Sequence, residues 1–373
     1  MSKRVLVLFG TRPEVIKLAP VVKELRRRSG EFETIACSTG QHREMLDQAM
    51  SVFKLTADLD LNLMTPGQTL AGLTSLLFKA IDNAIEETKP DAIIVQGDTT
   101  SAFVGGMCGF YRRLTVGHVE AGLRTGNIWA PFPEEVNRCI VGKIATHHFA
   151  PTDRSRQNLL REGVPDSQIA VTGNTVVDAL HWMQQNNALQ ATGEIPADIE
   201  PALASHRLIL VTSHRRESFG DGLESTFRTL VRIANEFPDT LIVYPVHLNP
   251  NVQAPAKALL ADHPRIRLLP PVSYSALLWL MSKSHIILSD SGGIQEEAPS
   301  FSKPLLVLRE TTERPEAVDA GCAILVGTDE QKIFSHASKL LSDSSAYAAM
   351  AGKPNPFGDG KASERIADIL AHS

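Results

Sequence analysis

The sequence predicts an α/β protein built on parallel sheets, and two observations support this prediction. Short apolar runs recur along the 373-residue chain, and each is followed by a turn signal and then by a stretch with helical character. The runs are apolar without alternation, as expected of strands that are buried on both faces of a parallel sheet. Their spacing is close to the roughly 30 residues of a βαβ unit.

Twelve strands are predicted, in two series of six. The first series covers residues 5–9, 34–37, 92–95, 115–119, 147–150 and 169–171, and the second covers 208–211, 241–246, 266–269, 286–288, 305–308 and 323–326. A polar stretch at 184–205 separates the two series and is predicted to be a surface excursion between them. Residues 362–372 have the pattern of a final helix. We therefore predict two Rossmann-like, doubly wound domains, 1–175 plus 356–373 and 176–355, with an interdomain cleft as a ligand site.

Composition excludes several classes of protein. The formal net charge of −5 offers nothing to a nucleic-acid backbone or an anionic membrane, so any phosphate binding is local. Four scattered cysteines without a CxxC pair argue against a disulfide framework or a zinc cage. No apolar run approaches the roughly 20 residues of a membrane span, and the first residues lack a signal-peptide pattern. We expect a cytoplasmic protein without a metal, a nucleic-acid partner or a membrane partner.

Charged side chains cluster where the strands of the first half end. Arg12 and Lys17 follow the first strand at a helix N-terminus, where free backbone N–H groups already favour anions. Asp98, Glu120 and Glu134 lie in later strand-end loops and could converge on one site. Carboxylates held close together push their pKa values apart, which suits acid–base chemistry. The alternatives are an ordinary N-cap for Asp98 and unrelated surface acids for the other two.

The second half repeats this arrangement. His214 lies at a strand end beside two arginines, and Ser291, Gly292 and Gly293 join a strand to a helix. Glycines at such a junction let backbone amides approach a phosphate closely. No GxGxxG opens a helix after a strand and no GxxxxGK[ST] occurs, so neither a nicotinamide dinucleotide site nor a P-loop is expected.

Nine motifs in this order resemble one family. They are GTRPE (10–14), QHR (41–43), QGDTT (96–100), GHVEAGLRT (117–125), PFPEE (131–135), HRRE (214–217), PVHLNP (245–250), SDSGGIQEE (289–297) and TTERPE (311–316). The chain closely resembles the bacterial non-hydrolysing UDP-N-acetylglucosamine 2-epimerases from its first strand to about residue 362. The resemblance implies a GT-B fold, a final helix that packs on the first domain, a homodimer, and no cofactor.

The resemblance also implies a reaction and the residues that perform it. The reaction is reversible C2 epimerisation of UDP-N-acetylglucosamine to UDP-N-acetylmannosamine, for surface polysaccharide synthesis, through anti elimination of UDP to 2-acetamidoglucal and readdition. The implied catalytic residues are Asp98, Glu120, Glu134 and His214. The implied substrate-binding residues are Arg12, Lys17, Arg138, Ser291, Gly292, Gly293, Glu297 and Arg314. Glu297 is expected at the ribose hydroxyls and Arg314 at the sugar end.

Some residues depart from the family pattern. A second, activating UDP-sugar site is implied at Gln41, His42 and Gln68, but Glu44 replaces a glutamine there and Gly67 an arginine. Both changes disfavour a diphosphate, so activation by substrate in its usual form is not expected. Ser213 replaces a common glycine beside His214. The alternatives left open are an epimerase of another UDP-sugar, such as a 2,3-diacetamido uronic acid, a hydrolysing epimerase, and a GT-B protein without turnover.

Overall fold

The computed structural model describes residues 2–40, 43–63, 67–191 and 193–373, and among these not the side chains of 43–45. The chain divides into two compact units. Unit 1 comprises Met1–Asn186 and Phe357–Ser373, and unit 2 comprises Asn187–Pro356. In the described ranges, no helix combines the length and the apolar composition that crossing a bilayer requires.

Unit 1 contains a parallel seven-stranded sheet in the order β3-β2-β1-β4-β5-β6-β7. Its strands are β1 (Lys3–Phe9), β2 (Phe32–Ser38), β3 (Leu59–Asp60), β4 (Ala92–Gln96), β5 (Thr115–Val119), β6 (His147–Ala150) and β7 (Ile169–Val171). Its helices before the chain leaves the unit are α1 (Arg12–Arg27), α2 (Arg43–Val52), α3 (Leu70–Thr88), α4 (Thr100–Tyr111), α5 (Glu134–Ile144), α6 (Asp153–Arg161) and α7 (Thr175–Gln185), with a 3-10 turn at Asp166–Gln168.

Unit 2 contains a parallel six-stranded sheet in the order β10-β9-β8-β11-β12-β13. Its strands are β8 (Arg207–Thr212), β9 (Thr240–Pro245), β10 (Ile266–Leu269), β11 (Ser284–Ser289), β12 (Leu305–Val307) and β13 (Ala323–Leu325). Its helices are α8 (Ile199–Ala202), α9 (Asp221–Glu236), α10 (Pro250–Leu260), α11 (Tyr274–Lys283), α12 (Gly292–Glu297), α13 (Pro315–Asp319), α14 (Glu330–Ser342) and α15 (Ser344–Ala351), with 3-10 turns at Arg216–Ser218 and Ala298–Phe301. The final helix α16 (Ala362–His372) belongs to unit 1.

The predicted α/β class with two Rossmann-like parallel sheets, as in the GT-B fold, is confirmed. All twelve predicted strands are present. Strand β3 was missed because it is only two residues long and pairs with β2 alone, at its edge. Apolar strands fill both cores: β1 from Val5 to Phe9 is at most 1% exposed, and Ile286 to Leu288 in β11 are fully buried.

The boundary between the units falls after Asn186 rather than after residue 175, because α7 packs against α1 of unit 1. Helix α16 also packs on α1, and the buried Asp178 of α7 accepts hydrogen bonds from the backbone N–H groups of Ala362 and Ser363 at its start. The final helix is therefore fixed to unit 1 at its N-terminus.

The stretch at 184–205 is more ordered than a surface excursion. The backbone N–H of Gln190 donates to Ser275 Oγ at 3.2 Å, and that hydroxyl donates to the carbonyl of Ala188. The side chains of Ile195 and Ile199 are buried. Its described residues after the boundary therefore pack on unit 2.

Each sheet has one topological switch point, where neighbouring strands feed helices on opposite faces. It lies between β1 and β4 in unit 1 and between β8 and β11 in unit 2. Ligands of doubly wound sheets bind beyond the carboxyl ends of the strands at such points. The loops after these four strands carry Arg12, Asp98, His214 and Asp290, and Glu120 follows β5, the neighbour of β4.

Candidate functional site

Glu120 lies directly after β5 and is 8% exposed. One carboxylate oxygen forms an ion pair with Lys17 Nζ of α1, and the other accepts a hydrogen bond from Gln96 Nε2 at the end of β4. Its backbone is left-handed, with φ of 64°. Such a conformation costs a non-glycine residue free energy and occurs often at functional sites.

Asp98 follows β4 by two residues, and its carboxylate is ion-paired with the guanidinium of Arg138. Asn137 of the same helix donates a 2.9 Å hydrogen bond to the carbonyl of Asp98. Arg138 Nη1 also lies 3.4 Å from the buried carboxylate of Glu135. Helix α5 therefore contacts the β4 loop through both the side chain and the backbone of Asp98.

The carboxylates of Asp98 and Glu120 lie in adjoining loops. Strands β4 and β5 are neighbours, and the Gly97 backbone N–H donates a 2.9 Å hydrogen bond to the carbonyl of Val119. A Cβ built on Gly97 would lie 3.5 Å from Glu120 Oε2. Each carboxylate has its own cationic partner at this edge of the sheet, Arg138 for Asp98 and Lys17 for Glu120.

Glu14 organises the loop that carries Arg12. Its buried carboxylate accepts from the backbone N–H groups of Gly10 and Thr11 at 3.0 and 2.8 Å, and from the Thr99 hydroxyl at 2.6 Å. Burial raises the pKa of Glu14, although these donors act in the opposite direction. Because Thr99 follows Asp98, Glu14 connects the loops after β1 and β4.

The imidazole of His118, in β5, supports the loop after β4. Its Nε2 lies 2.8 Å from the carbonyl of Gly97, and the imidazole is fully buried. Burial lowers the pKa of His118 to about 3. The imidazole is therefore neutral at physiological pH and donates this hydrogen bond from Nε2.

Glu134 is the first residue of α5 and is half-buried. It lies four residues before Arg138, so both project from the same face of the helix. The preceding loop exposes a stacked aromatic pair, Trp129 and Phe132, with ring centroids 5.8 Å apart. Glu135 secures this loop by accepting from the backbone N–H groups of residues 125 and 126.

In unit 2, the loop after β8 is held by Asp290, which follows β11 and is fully buried. Its Oδ2 accepts from the backbone N–H groups of His214 and Arg215 at 2.6 and 2.8 Å, and from the Ser213 hydroxyl at 3.1 Å. Its Oδ1 lies 3.2 Å from His214 Nδ1. The His214 ring also stacks on that of His247, with centroids 5.4 Å apart.

Ser291, Gly292 and Gly293 form the start of α12. Neither glycine has positive φ, and a Cβ on either would lie no closer than 3.9 Å to any neighbouring atom. The fold itself does not require glycine at these positions. Backbone N–H groups left open by small residues at a helix start are suited to a phosphate.

The acids at the end of α12 each have a partner. Glu296 is fully buried and ion-paired with the Arg314 guanidinium. Glu297 accepts a 2.8 Å hydrogen bond from the Tyr274 hydroxyl. Arg314 is therefore attached to the same short helix as the open glycines, and Glu297 lies one turn further along it.

The predicted second site falls partly outside the described residues. Gln41 and His42 lie outside the described residues, and Gln68 donates a 2.9 Å hydrogen bond to the carbonyl of Leu63. Arg12 is half-exposed at the first position of α1. Within the described ranges, no group of three or more His, Cys, Asp or Glu side chains has the arrangement of a metal site.

Several residues that hold the predicted ones in place were not predicted from the sequence. They are Glu14, Gln96, His118, Asn137, Tyr274 and Asp290. Glu14, Gln96 and Asp290 lie inside motifs quoted above, near the ends of β1, β4 and β11. Their position at a switch point could therefore have indicated them. Tyr274 had no such signal, because its contact joins two separate helices.

Comparison with known proteins gives concordant results. The sequence profile of the family described as UDP-N-acetylglucosamine 2-epimerase matches residues 23–371. A probable UDP-N-acetylglucosamine 2-epimerase of Ralstonia solanacearum is 52% identical over 98% of this chain and 97% of its own length. The UDP-N-acetylglucosamine 2-epimerase of Escherichia coli K12 is 49% identical over 99% of both chains. The crystal structure of the Neisseria meningitidis enzyme bound to UDP-GlcNAc superposes with a TM-score of 0.88, at 44% identity over 99% of this chain and 100% of that one.

Proposed function

The chain belongs to the UDP-N-acetylglucosamine 2-epimerase family, and we propose that it interconverts UDP-N-acetylglucosamine and UDP-N-acetylmannosamine without releasing free sugar. The observation that carries this proposal is the pair of carboxylates, Asp98 and Glu120, that follow neighbouring strands of unit 1 and are each ion-paired with a cationic side chain. Such a pair can take a proton from one position and supply one at another.

The chemistry of the substrate favours an elimination. The C2 hydrogen of an N-acetylhexosamine is not adjacent to a carbonyl, so its direct removal would leave an unstabilised carbanion. Loss of the C2 proton to a base, with departure of the C1–O electron pair on UDP, gives a C1–C2 double bond in 2-acetamidoglucal. UDP then adds back to C1 while a proton reaches the opposite face of C2, which inverts that centre and restores all atoms.

We assign the proton transfers to unit 1. Asp98 and Glu120 follow the neighbouring strands β4 and β5, and Glu134 lies on the face of α5 that also carries Arg138. Lys17 and Arg138 keep the two carboxylates in place and add positive charge beside a diphosphate substrate.

We assign the leaving group to unit 2. The start of α12 beside Ser291 supplies the backbone N–H groups of Gly292 and Gly293 for the diphosphate, and His214 supplies an imidazole. Glu297 is suited to ribose hydroxyls because a carboxylate accepts two hydrogen bonds from a diol, and Tyr274 fixes its orientation. Arg314 is proposed to contact the sugar end.

The test is proton NMR of UDP-N-acetylglucosamine with the purified protein in deuterium oxide, without added cofactor. We expect deuterium at C2 and the growth of UDP-N-acetylmannosamine signals. Free N-acetylmannosamine together with UDP would indicate the hydrolysing reaction instead. An unchanged spectrum would contradict this substrate, and a UDP-2,3-diacetamido uronic acid would be tested next.

We also propose that the protein is a homodimer. Unit 1 exposes large apolar side chains on two adjacent helices, Leu76 on α3 and Phe110 and Tyr111 on α4. Exposed apolar surface of this kind favours contact with another protein. Light scattering on the purified protein tests this proposal, and a mass near 40.6 kDa would contradict it.

A further inference from the structure

We propose that Asp290 is a positioning residue for the reaction, because it fixes the tautomer and the orientation of His214 and so presents His214 Nε2 to the leaving diphosphate. This inference deepens the proposed function and rests on it for the identity of the leaving group. It rests on the geometry of unit 2 for everything else.

The two oxygens of Asp290 have separate tasks. Oδ2 accepts the backbone N–H groups of His214 and Arg215 and the Ser213 hydroxyl, so it holds the loop after β8. Oδ1 is left to face His214 Nδ1 at 3.2 Å. A carboxylate can only accept, so this approach is favourable only when Nδ1 carries a proton.

The Asp290 carboxylate is ionised despite its burial. Burial alone would raise the pKa of Asp290, but His214 and the two backbone donors outweigh it and the pKa is lowered. The charge is therefore present whenever the protein is folded near neutral pH. A buried charge at this distance makes the Nδ1–H form of His214 the favoured neutral tautomer.

The orientation of the ring is fixed as well. His214 stacks on His247, with an interplanar angle of 15°, and its side chain keeps 39% of its surface exposed. The Tyr244 hydroxyl donates a 2.7 Å hydrogen bond to the carbonyl of Ser213, which secures the same loop from the core side. With Nδ1 facing Asp290 Oδ1, Nε2 is the nitrogen available to a ligand.

This arrangement has a defined role in the reaction. When the C1–O bond breaks, its electron pair stays on the β-phosphate oxygen of UDP. In its imidazolium form, His214 donates the Nε2 proton to that oxygen, and the remaining Nδ1–H stays directed at Asp290. On readdition the proton returns to Nε2 as the oxygen attacks C1, so no other reactant is needed.

The first measurement is the tautomer of His214 in the intact protein. Nitrogen-15 NMR of histidine-labelled protein at about pH 8 distinguishes Nδ1–H from Nε2–H imidazoles, because an ordinary histidine is neutral there. The signals that disappear from the spectrum of His214→Ala identify His214 among the twelve histidines. We expect Nδ1–H. An Nε2–H signal would overturn the proposal, and this readout does not depend on turnover or on any substrate.

The second measurement uses Asp290→Asn. The amide oxygen can still accept from the backbone of the loop, but its NH₂ then faces Nδ1 and favours the Nε2–H tautomer. We expect kcat to fall by about 10²-fold or more, because general acid catalysis is lost, with a much smaller change in KM. Asp343→Asn is the matched control, because Asp343 also accepts from two backbone N–H groups, at the start of α15.

The two proposals fail in different ways. If the wild-type protein shows no epimerisation but its His214 signal is Nδ1–H and changes in Asp290→Asn, the proposed function fails and the positioning role stands. If the wild type is active and Asp290→Asn retains full kcat, the positioning role is wrong. A loss of activity without a change of tautomer would also contradict it, because a purely structural effect would then explain the loss.

Discussion

Lys17 of α1 forms an ion pair with Glu120, the residue that follows the last position of β5, across the switch point of the first sheet. The pair is largely buried, with side-chain exposures of 14% and 6%. Gln96 binds the second carboxylate oxygen of Glu120. The left-handed backbone at Glu120 is held by these contacts, so its carboxylate has one defined position.

We predict that Glu120→Gln abolishes proton chemistry while leaving UDP binding intact. Glutamine keeps the volume of the side chain but cannot take a proton, and its NH₂ group replaces one of the two oxygens that accept from Lys17 and Gln96. Exchange of the C2 hydrogen with solvent should fall by about 10²-fold or more, as measured by NMR in deuterium oxide. Asp98→Asn should behave similarly.

The control for this prediction is Glu200→Gln on α8, where the residue is exposed. It should exchange C2 hydrogen at the wild-type rate. UDP affinity, measured by calorimetry, should stay within a few-fold of wild type for all three variants. Wild-type exchange in both Glu120→Gln and Asp98→Asn would refute the assignment of these carboxylates.

The fold could be predicted because its signal is local. Each long strand is a continuous apolar run, and these runs are buried on both faces. Strand β3 could not be predicted, because Leu59 and Asp60 are placed by pairing with Cys37 and Ser38 rather than by any pattern of their own. The observed unit boundary differs from the predicted one because the packing of α7 on α1 is not visible in the local composition of the sequence.

The candidate site was predictable only in its charged residues. Strand ends point to Asp98, Glu120 and His214, since polar side chains after apolar runs are conspicuous. Their partners are not conspicuous, because pairs such as Asp98 with Arg138 depend on how a distant helix packs. The double role of Asp290 was hidden for the same reason, as its contacts are 75 to 77 residues away along the chain.

We predict that Arg138→Ala lowers both stability and activity. Removal of the guanidinium leaves the Asp98 carboxylate and the buried Glu135 without this cation, which should cost about 1–3 kcal/mol in the free energy of unfolding. Arg138→Lys should recover only part of the loss, because an ammonium cannot face both acids in the geometry of a guanidinium. Urea denaturation measures the effect.

The control for Arg138 is Arg228→Ala. Arg228 Nη1 lies 3.7 Å from the Glu224 carboxylate on the exposed surface of α9. Exposed ion pairs contribute little, so the urea midpoint should hardly change. Equal losses in the Arg228 and Arg138 variants would contradict the view that the Asp98 pair is distinguished by its burial.

We predict that Gly122→Ala is far more destabilising than Gly163→Ala. Both glycines have positive φ, 91° and 83°, so both variants suffer the left-handed strain of about 1–2 kcal/mol. At Gly122 the new Cβ would also lie 2.3 Å from the carbonyl oxygen of Ser155, whereas at Gly163 nothing lies within 4 Å. Overpacking against backbone should add about 1–3 kcal/mol, measurable by urea denaturation. Similar midpoints for the two variants would show that the Ser155 contact relaxes freely.

We predict that the rate depends hyperbolically on UDP-N-acetylglucosamine concentration. Glu44 and Gly67 stand where the resemblance implies a glutamine and an arginine in a second, activating site. A carboxylate repels a diphosphate and the missing guanidinium removes an attraction, so binding there should be weak. Steady-state kinetics measure the curve. A sigmoidal curve that becomes hyperbolic in Gln68→Ala would contradict this prediction.

We predict that two buried histidines make the protein less stable as the pH falls below about 6.5. Burial lowers the pKa of His118 to about 3 and that of His148 to about 4, whereas an unfolded histidine has a pKa of about 6.5. Between these values the unfolded chain binds a proton that the folded chain does not. Stability is therefore full above about pH 6.5 and declines on acidification, with each histidine contributing up to about 1.4 kcal/mol per pH unit.

Urea denaturation between pH 5 and pH 7 tests this slope through the difference between wild type and His118→Gln. Other titrating groups, such as the buried Glu14, contribute equally to both proteins and cancel in the difference. His118→Gln can keep a donor for the Gly97 carbonyl but cannot bind a proton, so its stability should fall less steeply than that of wild type. His372→Gln, at an exposed position on α16, should retain the wild-type slope. Parallel curves for His118→Gln and wild type would mean that His118 gains its proton within the folded protein.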